Sequence, residues 1–346
     1  MRHIKNRTIL DFTARLSLLM DSGLSVSEAI GMIGAGRKER EIEELTHWLN
    51  EGLKRGRSFS SLINSSLSPF PQIYKGLISI GEEAGTLKQI LSALTAYMER
   101  QNKIRDRIIN GSIYPILVLS FTLVGMVLLS LLLLPGLEEV FADLLQSEGE
   151  LFRIRRKIRI FSATVIATTL FAVLLLLLMI TGKRHDKIRI FLEILFLKIP
   201  VISNIIIYKN IYSLAFALEI LTSRGIPLLV SIKESSSVCT SILFCKALDG
   251  IYLDLISGHT TPSSFNKQKI FPERFIRWLE IGESTGRTRQ VFGQLRIYYE
   301  SELENLTTRV TGILEPALIL IVGIIIIYII LTFIAPLFSL FGTVIK

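Results

Sequence analysis

The chain has almost none of the residues that build disulfide frameworks or metal centres. Only 2 of its 346 residues are cysteine and 4 are histidine. Cys239 and Cys245 are separated by five residues, which fits neither zinc-ligand nor redox spacing, so they read as reduced packing residues. His3, His47, His185 and His259 are scattered and form no ligand cluster. Phosphate-loop, H-E-x-x-H and G-x-S-x-G signatures are all missing. That removes the recognisable routes to nucleotide hydrolysis, zinc-dependent hydrolysis and serine-nucleophile chemistry. No stretch alternates polar and apolar residues convincingly with a period of two, so no strand is expected. Charge is missing as well from three long apolar runs, at about 113–134, 160–180 and 316–337.

Those runs dominate what is present. Each has the roughly 20 apolar residues that a helix needs to cross a hydrocarbon core of about 30 Å. They account for a mean hydropathy of +0.50 in a chain that is 50% hydrophobic. An ion pathway needs buried charge within such spans, and none is there. The net charge is +9. Its basic residues cluster beside the runs, with Arg100, Lys103, Arg105 and Arg107 before the first and Lys183, Arg184, Lys187 and Arg189 after the second. They do not interleave with aromatic residues, so anionic lipid headgroups are the expected partner and direct nucleic-acid binding is not expected. The first residues, Met1-Arg2-His3-Ile4-Lys5, are too polar for a secretory signal, so the first body is expected to stay unexported.

The chain is duplicated. Gly81-Glu82-Glu83-Ala84-Gly85 returns as Gly282-Glu283-Ser284-Thr285-Gly286, an offset of 201 residues. The register holds without a gap from Phe70-Pro71, paired with Phe271-Pro272, to Pro115, paired with Pro316. Further upstream the offset is 202, with Gly23 opposite Gly225 and Gly56 opposite Gly258. A repeat of this length sets the architecture before any motif is interpreted.

Both copies read as helical. After Gly85, apolar residues at Leu87, Ile90, Leu91, Leu94, Tyr97, Met98, Ile104 and Ile108 make one stripe, and the second copy repeats it with Val291, Phe292, Leu295, Tyr298, Tyr299 and Leu306. The expected fold is an all-α integral membrane protein with two homologous cytoplasmic helical-bundle domains and three transmembrane helices. The expected layout is a first domain at 1–112, a span at 113–134 and an extracytoplasmic loop with an interfacial helix at 135–159. A second span follows at 160–181, a second domain at 182–313, and a third span with the C-terminal end at 314–340. Duplicated bodies should face one compartment, and the two spans between them return the chain to the same side. The N-terminus is therefore expected inside and the C-terminus outside.

Four glycines and two glutamates form the candidate site. Gly81, Gly85, Gly282 and Gly286 are expected to punctuate hairpins between helices. Glu82 and Glu283 are expected beside the N-terminus of the following helix, where exposed amides and the helix dipole favour a carboxylate. A structural corner stands first, partner contact second, and catalysis behind both, because neither glutamate has a His, Cys or Asp neighbour to complete an acid–base pair or metal site. A carboxylate-bound divalent ion stays open as a further reading. Glu315-Pro316 marks the entrance to the third run, where the carboxylate must lie at the interface or face protein and the proline suits a helix start or kink. Tyr114-Pro115 is the first-copy counterpart, so the proline is architectural. Gly125 and Gly323 lie mid-span, where small residues permit close helix packing.

Taken in order, these features resemble the type II secretion system F-protein family. The resemblance rests on the paired G-E-x-x-G turns, Gly225-Ile226-Pro227, Glu315-Pro316, and Pro336-Leu337-Phe338 at the end of the last span. The opening Phe12-Thr13-Ala14-Arg15-Leu16 and Leu19-Met20-Asp21-Ser22-Gly23 is similar to the family's first-repeat signature. Two departures stand out. Many members carry several dozen residues ahead of the first repeat, and Thr288 replaces a family leucine. The resemblance implies a non-enzymatic inner-membrane platform without cofactor or metal, working in type II secretion, type IV pili or DNA uptake. The implied partners are a hexameric secretion or assembly ATPase, other inner-membrane assembly components, pilin-like subunits and further copies of the chain. An oligomeric transporter or channel component is the alternative.

Overall fold

The computed structural model describes residues 4–35, 39–136, 139, 148–181, 199–236 and 241–334. Pro336-Leu337-Phe338, Cys239, His3, His185 and the basic group Lys183–Arg189 lie outside the described residues.

Thirteen helices occur among the described residues, and no strand. The first set comprises α1 (Asn6–Asp21), α2 (Val26–Ala35), α3 (Arg40–Lys54), α4 (Phe59–Ile63), α5 (Gln72–Glu83) and α6 (Leu87–Leu128). The second set repeats that order as α8 (Pro200–Ser223), α9 (Leu228–Ser236), α10 (Ile242–Ile256), α11 (Thr261–Asn266), α12 (Glu273–Thr285) and α13 (Thr288–Ile329). Between them lies α7 (Glu148–Thr181), which has no counterpart among the described residues. The duplication extends to backbone detail. Among the described residues, those with positive φ are all glycines and fall at matched places: Gly23 and Gly225, Gly56 and Gly258, Gly85 and Gly286. Leu129–Leu133 and Ile330–Ile334, again 201 residues apart, are both π-helical turns.

Residues 1–106 and 197–306 form one compact unit, and residues 107–196 and 307–346 form another. In the first unit both copies contribute to a continuous apolar core. Tyr97 of α6 stacks on Phe216 of α8 with ring centroids 4.4 Å apart and on Tyr212 at 5.5 Å. Such offset aromatic contacts add to the hydrophobic gain of burying the rings. The α6 stripe is buried as its period requires, except that Ile108 is exposed. A half-buried charge ladder joins the copies: Arg100 meets Glu300 at 3.0 Å, and Arg296 meets Glu300 at 3.5 Å and Glu219 at 2.5 Å.

In the second unit, α7 packs on the neighbouring helices through Phe161 and Val165, which are buried with Leu134 and Ile158. Phe161 stacks on Tyr328, and the Ser130 hydroxyl donates to Ser162 Oγ at 2.9 Å. Elsewhere this unit exposes large apolar side chains, with Phe121 at 74% and Leu132 at 70%. The Leu151–Arg156 stretch is not a separate interfacial helix, because it belongs to the continuous α7. Gly125 and Gly323 do not mark a tight crossing, since an added Cβ would meet nothing within 4 Å at either. The close approach is at Gly111, where a Cβ would lie 2.3 Å from Thr311 Cγ2.

Among the described residues four helices are long and apolar enough to cross a membrane: α6, α7, α8 and α13. The addition to the expected set is α8, and its burial explains its composition. Its apolar window is 39% buried, against 0% for α6 and 6% for α13. Ile211, Tyr212, Leu214, Ala215 and Leu218 all enter the first unit's core. A helix apolar around its circumference is as well suited to a protein interior as to lipid.

Candidate functional site

The two glutamate corners are built from the same elements and finish differently. In the first copy, α4 is capped by Ser58, whose hydroxyl accepts the Ser61 amide at 3.2 Å. That leaves the Phe59 and Ser60 amides as orphan donors of the first turn. Glu82, in the last turn of α5, supplies both acceptors: Phe59 N–H donates to Oε1 at 3.0 Å and Ser60 N–H to Oε2 at 2.8 Å. Burial opposes ionisation of Glu82, but hydrogen bonds from the Ser60 hydroxyl, the Ser60 and Phe59 amides and the Ser58 hydroxyl together outweigh it. They hold the carboxyl below the usual carboxylate range.

The glutamate is thus at a helix N-terminus, but at that of α4 and not of the following helix α6. Residue 82 still lies inside α5, so its side chain leaves the helix sideways toward α4 before the chain turns.

Gly81 and Gly282 do not punctuate the hairpins either. Both are helical, inside α5 and α12. They are needed for packing: a Cβ on Gly81 would lie 2.7 Å from Ile90 Cδ1, and one on Gly282 would lie 3.1 Å from Val291 Cγ2 and 3.3 Å from Thr288 Cα. The turn itself belongs to Gly85 (φ +65°) and Gly286 (φ +68°). After Gly85 the Thr86 amide donates back to Gly81 O at 2.7 Å, a Schellman closure that satisfies one of the last carbonyls of α5.

In the second copy, Thr260 replaces Ser58 as the cap and accepts the Ser263 amide at 3.4 Å. Ser60 is matched by Pro262, which has no N–H. The two-amide clamp therefore cannot be repeated. Glu283 is exposed, and among the described residues its carboxylate holds no hydrogen bond or ion pair, although its backbone carbonyl accepts the Gly286 amide. It borders a shallow cleft with Thr260, Pro262, Ser263, Asn266, Glu280 and Ser284. Only the repeat register, which sets Pro262 opposite Ser60, signals this difference in the sequence.

Glu315 and Pro316 lie within the unbroken α13 rather than at a helix start, and both are exposed. Pro115 is likewise inside α6. Each proline removes one intrahelical bond and crowds the carbonyl four residues back, which in both copies belongs to a glycine, Gly111 or Gly312. Among the described residues no group of three or more His, Cys, Asp or Glu could hold a metal ion.

Among the described residues the fold therefore defines a duplicated, all-helical protein with long apolar helices, whose matched corners carry one hydrogen-bonded, half-buried glutamate and one free, exposed one. The family model for the type II secretion system protein F matches residues 12–135 and again 216–336, so the chain belongs to that family. Curated relatives cover nearly the whole chain. A type IV pilus assembly protein PilC of Pseudomonas aeruginosa is 24% identical over 98% of this chain and 91% of its own length. Another PilC, from Thermus thermophilus, is 24% identical over 96% of this chain and 82% of its own length. A type II secretion system protein F of Aeromonas hydrophila is 23% identical over 95% of this chain and 85% of its own length.

Proposed function

We propose that the chain is a non-enzymatic inner-membrane platform of a type II secretion or type IV pilus-like machine. In this reading both repeats face the cytoplasm, three helices (α6, α7 and α13) cross the membrane, and the C-terminus lies outside. The platform engages a hexameric secretion ATPase and other inner-membrane components, receives pilin-like subunits and acts as an oligomer. The observation that carries the reading is that α6 and α13 are each 42 residues long and apolar in their later part. At 1.5 Å per residue each extends about 63 Å, so a force applied where it begins can be passed along one continuous element. Each begins directly after its glutamate corner. Glu283, free and exposed, is the corner offered to a partner, whereas Glu82 serves the fold.

Deletion of the gene and complementation tests the role: wild type restores filament assembly or secretion, and loss of neither on deletion overturns it. Reporter fusions near Asn64 and Ser264 should report the cytoplasm, and one near Gly149 the opposite side. Opposite signals from Asn64 and Ser264 would end the topology.

A further inference from the structure

A cleft of about 390 Å³ opens in the first unit between the two copies, walled by α6 and α8. That volume lies in the range of small-ligand sites, about 300–1,000 Å³. Its lining is chemically one-sided. Lys209 is there and no aspartate or glutamate is, while Asn6, Gln101, Asn102 and Asn210 provide carboxamides. Leu94, Met98 and Leu214 form an apolar wall. Tyr97 closes the floor: its hydroxyl is 2.8 Å from Ser213 Oγ and accepts from Gln101 Nε2 at 3.2 Å.

Lys209 has no carboxylate partner among the described residues. It is accessible to solvent, yet surrounding protein desolvates the ammonium enough to lower its pKa, and the Arg105 guanidinium lowers it further. The ammonium thus feels a second positive charge, and no carboxylate offsets it. The repeat makes the omission specific. Gln101 and Asn6 of the cleft correspond to Glu302 and Tyr208 in the other copy, where the Glu302 carboxylate does act on Tyr208. One corner of the repeat carries an acid, and the cleft corner carries an amide in its place. A cationic, amide-rich pocket without acids complements an oxyanion, and an apolar wall beside it complements a hydrocarbon tail.

We propose that this cleft binds a phosphate-bearing amphiphile, the phosphate held by Lys209 with Gln101, Asn102 and Asn210, and the apolar part lying on Leu94, Met98 and Leu214. Arg105 adds attraction from outside the lining. The phosphate can come from an anionic phospholipid or from a soluble phosphate ester, and the test separates them.

Native mass spectrometry of the full-length chain in neutral detergent, titrated with phosphatidylglycerol or phosphatidylcholine, reads occupancy directly. Phosphatidylglycerol should bind the wild type more tightly than phosphatidylcholine. Lys209→Gln should weaken it about ten-fold, the loss expected for one charge-assisted hydrogen bond. Gln101→Glu, which keeps the volume and supplies the carboxylate found at Glu302, should abolish it. Lys54→Gln, on an exposed residue outside the lining and outside the basic clusters, is the control and should change nothing. Displacement of the bound lipid by glycerol 3-phosphate identifies a soluble ester as the ligand class, and its persistence identifies a phospholipid. Equal occupancy in wild type, Lys209→Gln and Gln101→Glu overturns the proposal, as does the absence of any adduct. Unchanged helicity of both variants by circular dichroism separates lost binding from lost folding.

Discussion

Glu82 accepts the backbone N–H of Ser60 at 2.8 Å, a bond made across 22 residues of sequence, and so ties the end of α5 to the start of α4. The matched glutamate, Glu283, faces Pro262 at that place and has no such donor to accept. One repeated motif therefore yields an internal cap in one copy and a free carboxylate in the other.

The first consequence concerns stability and its pH dependence. Hydrogen bonds to a charged group contribute about 1.5–3 kcal/mol. Glu82→Gln keeps one acceptor oxygen and should lose about 1–2 kcal/mol of that, read as a lower midpoint in thermal unfolding at pH 7. The folded pKa of Glu82 is depressed below that of an ordinary glutamate. Its stabilisation is thus fully present above the unfolded pKa and is lost as pH falls through the folded one. Wild type and Glu82→Gln should converge below pH ~4, the range of an ordinary glutamate and lower. A constant gap down to the lowest pH would contradict the cap.

The second uses the asymmetry. Glu283→Gln in the wild-type background should change stability by less than about 0.5 kcal/mol, as for an exposed residue without partners. Pro262→Ser restores the missing amide and should make the same Glu283→Gln change costly. A double-mutant cycle measures this as a coupling of about 0.5–1.5 kcal/mol, the worth of an ordinary hydrogen bond. Zero coupling would mean that α11 and Glu283 cannot meet as α4 and Glu82 do.

Third, Gly81 and Gly85 should fail for different reasons. Gly81→Ala pushes a methyl against Ile90 Cδ1, at 2.7 Å before relaxation, and should cost about 1–3 kcal/mol as overpacking. Ile90→Val removes the atom met and should recover part of the loss. Gly85→Ala meets nothing within 4 Å but must hold φ +65°, costing about 1–2 kcal/mol with no rescue from Ile90→Val. Equal rescue of both would remove the distinction between packing and turn.

The fourth reads output. Glu283→Lys should abolish filament assembly or secretion while the protein remains in the membrane at wild-type abundance, and Glu283→Gln should give an intermediate level. Glu82→Lys should instead deplete the protein, since it sets a cation against the first amides of α4. Normal output from Glu283→Lys at normal abundance would take this corner out of the partner interface.

Local chemistry carried the all-helical character, the duplication and the uncharged runs into plain view. A stripe such as Leu87, Ile90, Leu91 and Leu94 has a period that only a helix turns into one face, and an uncharged stretch like 113–134 declares itself by composition alone. The glycine turns at Gly85 and Gly286 were equally legible, because a helix end needs a residue that accepts positive φ. What the sequence left undetermined depends on contacts between distant residues. Composition cannot tell α8 from a membrane span, because lipid and a protein core select the same apolar side chains; the packing of Tyr212 and Phe216 on Tyr97 places α8 in a core. Nor does a glutamate near a turn reveal which helix it caps. Three-dimensional packing brings α4, and not α6, within reach of Glu82.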